Sequence, residues 1–120
     1  MLRIATIGTS MITDDFIQVV NANERGTAFT AERGGERNFT SLDELAAAGD
    51  VDAVYIGSPN ALHYEQALAC IAGGKHVIVE KPFCATEAQA LEVFRAAETA
   101  GVVALEAMRP LHDPAFHAIE

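Results

Sequence analysis

The sequence has no tryptophan, only two cysteines and four prolines, and eight lysines and arginines against seventeen aspartates and glutamates. Each shortage excludes something. Cys70 and Cys84 lack C-x-x-C spacing and the four histidines form no metal-ligand pattern with them. Neither a disulfide framework nor a metal site is expected, and a reduced, cytoplasmic setting fits. A net charge of -9 repels phosphate backbones and anionic lipid, which argues against nucleic-acid and membrane roles. No apolar run approaches the roughly 18 residues of a membrane span, and no basic segment precedes an apolar stretch at the N-terminus. At 120 residues the chain suits one domain around one core, and is short for a two-domain enzyme.

What is present is ample apolar material: half of the residues are hydrophobic, 21% are charged, and the mean hydropathy is +0.16. Burying that surface offsets chain entropy, so a folded domain is expected. Short apolar runs bounded by turn residues alternate with longer helical patterns. Leu2 to Ile7 is closed by Gly8, Val51 to Ile56 by Gly57-Ser58-Pro59, His76 to Val79 by Pro82, and Val102 to Leu105 follows Gly101. Such alternation predicts an α/β fold, a Rossmann-like doubly wound parallel sheet with βαβ crossovers.

The helical segments carry their own start and stop signals. Ser10 or Thr13 can cap a helix with the stripe Phe16, Ile17 and Val20. Ser41 caps Leu42 to Ala48, with Glu44 completing a capping box. Asn60 starts a helix with Ala61, Tyr64, Leu68 and Ile71 on one face, stopped by Gly73-Gly74. Thr86 starts another with Ala90, Leu91, Phe94 and Ala97 inward, stopped by Gly101. Glu24 to Phe39 fits two patterns: a helix to Arg33 stopped by Gly34-Gly35, followed by a short strand near Phe39, or a strand over Thr27 to Ala31.

Three segments at strand ends carry chemistry. Gly8-Thr9-Ser10-Met11-Ile12-Thr13 sits where a dinucleotide fold has G-x-G-x-x-G, keeping only the first glycine; the backbone N–H groups there can face a pyrophosphate. Asp14 and Asp15 in the same turn complement the helix dipole and compete with a phosphate. Ser58, Pro59, Asn60 and His63 follow the second apolar run, with Asn60 as an N-cap and His63 in the first helical turn. Glu80-Lys81-Pro82 follows the third; a proline there cannot continue the ladder, so Lys81 turns out at the crevice lip. Taken singly, each has a plain structural explanation: a capped turn, a helix start, and a lysine paired with a carboxylate.

In this order and spacing, MLRIATIGTSMIT, FTSLDELAAAGDVDAVYIGSPNALHYEQAL, GGKHVIVEKPF and ALEAMRP together resemble the N-terminal dinucleotide-binding domain of the glucose-fructose oxidoreductase, inositol dehydrogenase and rhizopine-catabolism (Gfo/Idh/MocA) family. The resemblance covers nearly the whole chain. It implies a domain that holds NAD or NADP and, in the complete enzyme, exchanges hydride with a sugar, cyclitol or related alcohol or carbonyl. It further implies that Gly8, Thr9, Ser10, Met11 and Ile12 face the pyrophosphate. Ser58, Pro59, Asn60 and His63 then line the cofactor cleft, Glu80 and Lys81 adjoin it with Lys81 as the catalytic group, and Met108 and Arg109 lie near its floor.

Two departures from the family pattern carry expectations of their own. Between Asn21-Ala22-Asn23 and ERGTAFTAERGG there is no room for the family's second strand and its ribose-holding end, so a sheet lacking that strand is expected; Glu32 is the nearest acidic candidate. The substrate domain that follows in the family is not in the 120 residues, so the chain alone is expected to bind dinucleotide weakly or not at all and to need that domain for a sugar-like substrate. A non-catalytic fragment or binding module is the competing reading. A phosphoacceptor receiver domain also shares the acidic pair and Lys81-Pro82-Phe83, but VDAVYIGSP offers Ser58 where a receiver needs aspartate.

Overall fold

A computed structural model describes residues 2–8, 19–20 and 39–108, and at 19–20 the backbone only. Five strands form one parallel sheet: β1 (Ile4–Ile7), β2 (Val19–Val20), β3 (Ala53–Ile56), β4 (His76–Val79) and β5 (Ala104–Glu106). Their order is β2-β1-β3-β4-β5. Among the described residues, three α-helices lie between them in sequence, α1 (Leu42–Ala47), α2 (His63–Ala72) and α3 (Glu87–Ala100). From β1 the sheet grows toward β3, β4 and β5, so right-handed crossovers set these helices side by side on one face. The core lies there: Ala5, Ile7, Val54, Ile56, Val77 and Val79 from the strands meet Leu45, Ala67, Cys70, Val93 and Ala97 from the helices. The α/β parallel architecture expected from the apolar runs is therefore present.

Several expectations need correction. Val20 is not helical; with Val19 it pairs in parallel with Thr6 and Ile7. A short strand thus occupies the outer side of β1, where the second strand was expected to be missing. Two adjacent β-branched residues disfavour a helix, and pairing satisfies backbone groups that β1 would otherwise leave open. Phe39 forms no strand, yet only 1% of it is exposed, because it is a core residue. The buried face of α2 runs through His63, Ala67, Cys70 and Ile71, and that of α3 through Val93 and Ala97. Leu91 and Phe94 lie on its flank, where the Phe94 ring stacks on Phe83 with centroids 4.8 Å apart. The expectations for Phe16, Ile17, residues 24–33 with Glu32, and Gly34-Gly35 fall outside the described residues.

Helix ends follow the sequence signals more closely. The Glu44 amide donates to Ser41 Oγ at 3.1 Å, but the Glu44 carboxylate reaches back to the amide and hydroxyl of Thr40, each at 2.8 Å, one residue earlier than a capping box requires. Thr86 Oγ1 accepts from the Gln89 amide, and Gly101 ends α3 in the left-handed conformation, φ 69°. At the end of α2, Gly73 lies against α1: a Cβ there would come within 2.2 Å of the Ala46 carbonyl oxygen. Backbone cannot yield to that, so Gly73→Ala is expected to destabilise the fold by about 1–3 kcal/mol. An unchanged urea midpoint would show that the two helices are not in contact as described.

Burial also separates the two thiols. Cys70 is fully buried, and desolvation pushes its thiol up to about 12. Cys84 is half-buried and raised by its surroundings and by Glu106. Since the thiolate is the nucleophile, the folded chain is expected to give one slowly reacting thiol with a disulfide reagent, and two after denaturation. Labelling of Cys70 in the native protein would contradict its position in the core.

Candidate functional site at the carboxyl ends of the strands

The parallel register places Ile7, Ile56, Val79 and Glu106 in one row. The ladder continues one step beyond it. The Gly57 amide donates to Ile7 O at 2.8 Å, the Glu80 amide to Ile56 O at 2.9 Å and the Ala107 amide to Val79 O at 2.8 Å. Gly8, Ser58 and Lys81 therefore lie at one edge. Strand order reverses between β1 and β3, and open α/β sheets bind ligands at the carboxyl ends beside such a reversal. Gly8 sits there at φ 104°, and a Cβ on it would meet the Gly57 carbonyl oxygen at 2.6 Å. Only glycine fits between the two strand ends.

The segment bearing Lys81 is fastened on several sides. Glu80 accepts a short hydrogen bond from the Tyr55 hydroxyl through one carboxylate oxygen and a 3.1 Å bond from the Lys81 amide through the other. The Lys81–Pro82 peptide is cis. One residue further, the Phe83 amide donates to Glu106 Oε1 at 2.9 Å. By contrast, the Lys81 ammonium makes no hydrogen bond or ion pair among the described residues, and Lys81 is exposed. Glu80, the carboxylate next to it in sequence, is thus engaged with Tyr55 and the backbone, not with the ammonium. The backbone under Lys81 is held while its charge stays available.

Beyond the neighbouring strand β3, Pro59 and Leu62 bracket a tight helical turn, Asn60–Leu62, with the Leu62 amide donating to Pro59 O at 2.9 Å. Asn60 does not cap α2 through its side chain: Pro59 precedes the tight turn, and the helix proper begins at His63 with Leu62 at its capping position. Pro59, Asn60 and Leu62 are exposed at this edge, an apolar surface with one free-standing amide among the described residues. Ser58 Oγ donates to Gln66 Oε1 at 2.5 Å, so its lone pairs, not its proton, remain for a ligand. His63 is not in an exposed first turn. It is fully buried, with Nδ1 2.9 Å from Pro82 O and Nε2 2.9 Å from Ser58 O.

Of the candidate residues, Gly8, Ser58, Pro59, Asn60, His63, Glu80 and Lys81 come together at this edge, and Met108 follows β5 there, half-buried. Thr9, Ser10, Met11, Ile12 and Arg109 lie outside the described residues. Tyr55, Gln66 and Glu106 were not foreseen. Tyr55 and Glu106 had a legible signal, since a phenol and a carboxylate closing apolar strands need partners when they are partly buried. No helix among the described residues is long and apolar enough to cross a membrane.

Comparison with known proteins agrees with this fold. The sequence model of the Gfo/Idh/MocA oxidoreductase family, NAD-binding Rossmann fold, matches residues 15–108. An NADP-dependent scyllo-inositol 2-dehydrogenase of Bacillus subtilis is 39% identical over an alignment of 133 positions that takes in all of this chain and 40% of the relative. That alignment is longer than the chain, so the relative carries residues in this region that the chain does not. A 1,5-anhydro-D-fructose reductase of Ensifer adhaerens is 50% identical over 67% of this chain and 24% of its own length. Among solved structures, a 3-ketoreductase from Actinomadura kijaniata in complex with TDP-benzene and NADP superposes with a TM-score of 0.89 at 28% identity, over 98% of this chain and 42% of that one. The chain thus spans well under half the length of these relatives. Matched across most of its residues by the family model and folded as its NAD-binding domain folds, the chain belongs to the Gfo/Idh/MocA oxidoreductase family.

Proposed function

We propose that the chain is the NAD(P)-binding part of an oxidoreductase that acts on a sugar, cyclitol or related alcohol or carbonyl. The observation that carries this reading is the pairing of Gly8, closed on Gly57 at the β1–β3 reversal, with the unpaired Lys81 ammonium at the same edge. A dinucleotide suits this residue set. Gly8 opens the turn in which backbone N–H groups meet a pyrophosphate. Pro59 and Leu62 offer apolar surface for a ring, Asn60 offers an amide for its polar edge, and Lys81 offers a cation to an oxygen beside the nicotinamide. When bound, the nicotinamide supplies the hydride donor or acceptor. Lys81 holds the substrate oxygen and can deliver or withdraw its proton, while Glu80, Tyr55 and Glu106 keep the backbone beneath it fixed. The relatives named above support both the cofactor and the substrate class.

Calorimetric titration of the 120-residue chain with NADH and NADPH tests the reading. Binding is expected to be weak, because the 133-position alignment with the scyllo-inositol 2-dehydrogenase exceeds the 120 residues of this chain, and the sequence after Asn21-Ala22-Asn23 leaves little room for a ribose-holding strand end. Losing one or two of its hydrogen bonds, worth about 0.5–1.5 kcal/mol each and up to about 3 when charged, weakens binding from several-fold to a few hundred-fold. Lys81→Ala is expected to leave whatever binding is measured nearly unchanged, since Lys81 serves the nicotinamide end and the chemical step. A large loss of affinity in that variant would move Lys81 from the chemistry to the cofactor's phosphates. No heat with either nucleotide at millimolar concentration would favour a non-catalytic binding module.

A further inference from the structure

Tyr55 and Glu80 share one face of the sheet. Tyr55 pairs with Ile78 in the β3–β4 register, and because strand side chains alternate, Glu80, two residues past Ile78, extends from the same side. Only 2% of Tyr55 is exposed, and its hydroxyl donates to Glu80 Oε1. Glu80 Oε2 accepts from the Lys81 amide at 3.1 Å. Both oxygens of the carboxylate thus have a donor, and neither donor is the ammonium of the next residue. The other carboxylate at this edge, Glu106, is held through Oε1 by the Phe83 amide. Among the described residues, the remaining lysine and arginine side chains are elsewhere: Arg3 precedes β1 and pairs with Asp52, Lys75 precedes β4 and donates to Ala48 O, and Arg95 lies in α3. Of these cations, Lys81 is therefore the one to which a released Glu80 carboxylate can turn.

We infer that Tyr55 is a positioning residue for the Lys81 charge: by holding Glu80 Oε1 it keeps the carboxylate from closing on the ammonium one residue away. The preference has a physical cause. A hydrogen bond from a partly buried phenol to a carboxylate is charge-assisted and shielded, whereas an ion pair to an exposed ammonium is screened by water and salt. With the phenol present, Glu80 stays on the sheet face; without it, the ammonium is the donor left for Oε1. The consequence for the proposed oxidoreductase, which rests on that reading, is that Lys81 meets a substrate oxygen as an unpaired cation instead of one already neutralised by its neighbour. A tyrosine that served only to fill the core would have no influence on the Lys81 charge.

The test needs no nucleotide, so its outcome is separate from that of the cofactor titration. The chain has two lysines, Lys75 and Lys81. After reductive dimethylation with carbon-13 formaldehyde, NMR can follow the titration of Lys81 with Lys75 and the terminal amine as references. In Tyr55→Phe the Lys81 midpoint is expected to rise by about half a pH unit, because an adjacent carboxylate favours the charged form, while the references stay in place. In a Glu80→Gln background the same Tyr55→Phe change is expected to leave Lys81 where Glu80→Gln alone puts it, since no carboxylate is left to pair. Should Tyr55→Phe fail to fold, Glu80→Asp, whose shorter side chain keeps the charge but falls short of the phenol, is expected to give the same rise. An unmoved Lys81 midpoint, a rise that persists in the Glu80→Gln background, or an equal rise at the references would each overturn the inference.

Discussion

Replacing Gly8 by alanine is expected to cost the fold about 2–5 kcal/mol, a large share of the roughly 5–15 kcal/mol that holds a domain together. Two effects add. The backbone at Gly8 has φ 104°, a region in which an L side chain is strained by about 1–2 kcal/mol. The new methyl would also sit 2.6 Å from the Gly57 carbonyl oxygen and 2.8 Å from its carbon. Relief requires β1 and β3 to part at their carboxyl ends, where the Gly57 amide is bonded to Ile7 O. The same opening would displace the crevice floor, so any affinity for NAD(P) is expected to fall along with the urea midpoint. Gly49→Ala is the control, since a Cβ there meets nothing within 4 Å. Equal stability in the two variants would mean that the strand ends do not close on each other at this point.

The parts of this molecule that could be read in advance are those governed by local rules. Apolar runs of four to six residues, each closed by glycine or proline, gave the positions of four strands to within about two residues, because strands buried on both faces must be apolar throughout. Ser41, Thr86 and Gly101 marked helix ends for the same reason: their side chains, or the lack of one, satisfy the nearest backbone groups. What escaped depends on partners distant in sequence. Val19–Val20 pairs with β1 by tertiary contact, which outweighs the helical spacing of Phe16, Ile17 and Val20. His63 reads as an exposed helix-start residue until two loops close over it, one of them nineteen positions away. At the site, the motif residues were legible while their supports were not. Lys81 announces itself through Glu80-Lys81-Pro82, but nothing local says that the Glu80 carboxylate turns to Tyr55 and leaves the ammonium unpaired among the described residues.

That freedom sets the largest expected effect. Supplied with NADPH and a keto-inositol or similar ketone, the 120-residue chain is expected to show no hydride transfer above the uncatalysed background, followed as loss of nicotinamide fluorescence. Lys81 is held by its backbone and offers a charge, but a charge on one side does not fix a substrate carbon against the nicotinamide. Holding two reactants in that geometry is worth about 7–11 kcal/mol of barrier, which at about 1.4 kcal/mol per decade corresponds to five to eight decades in rate. The relatives carry more than half of their length outside the region matched here, and on the proposed function substrate positioning falls to that remainder. Joined to such a remainder, the chain is expected to turn over, and Lys81→Ala to lower kcat by about a hundredfold to ten-thousandfold, the range for losing a positioned acid or base, with little change in the dissociation constant for NADPH. Turnover by the isolated chain would show that residues at its own strand ends seat the substrate. Unimpaired turnover by the joined Lys81→Ala protein would remove Lys81 from the chemical step.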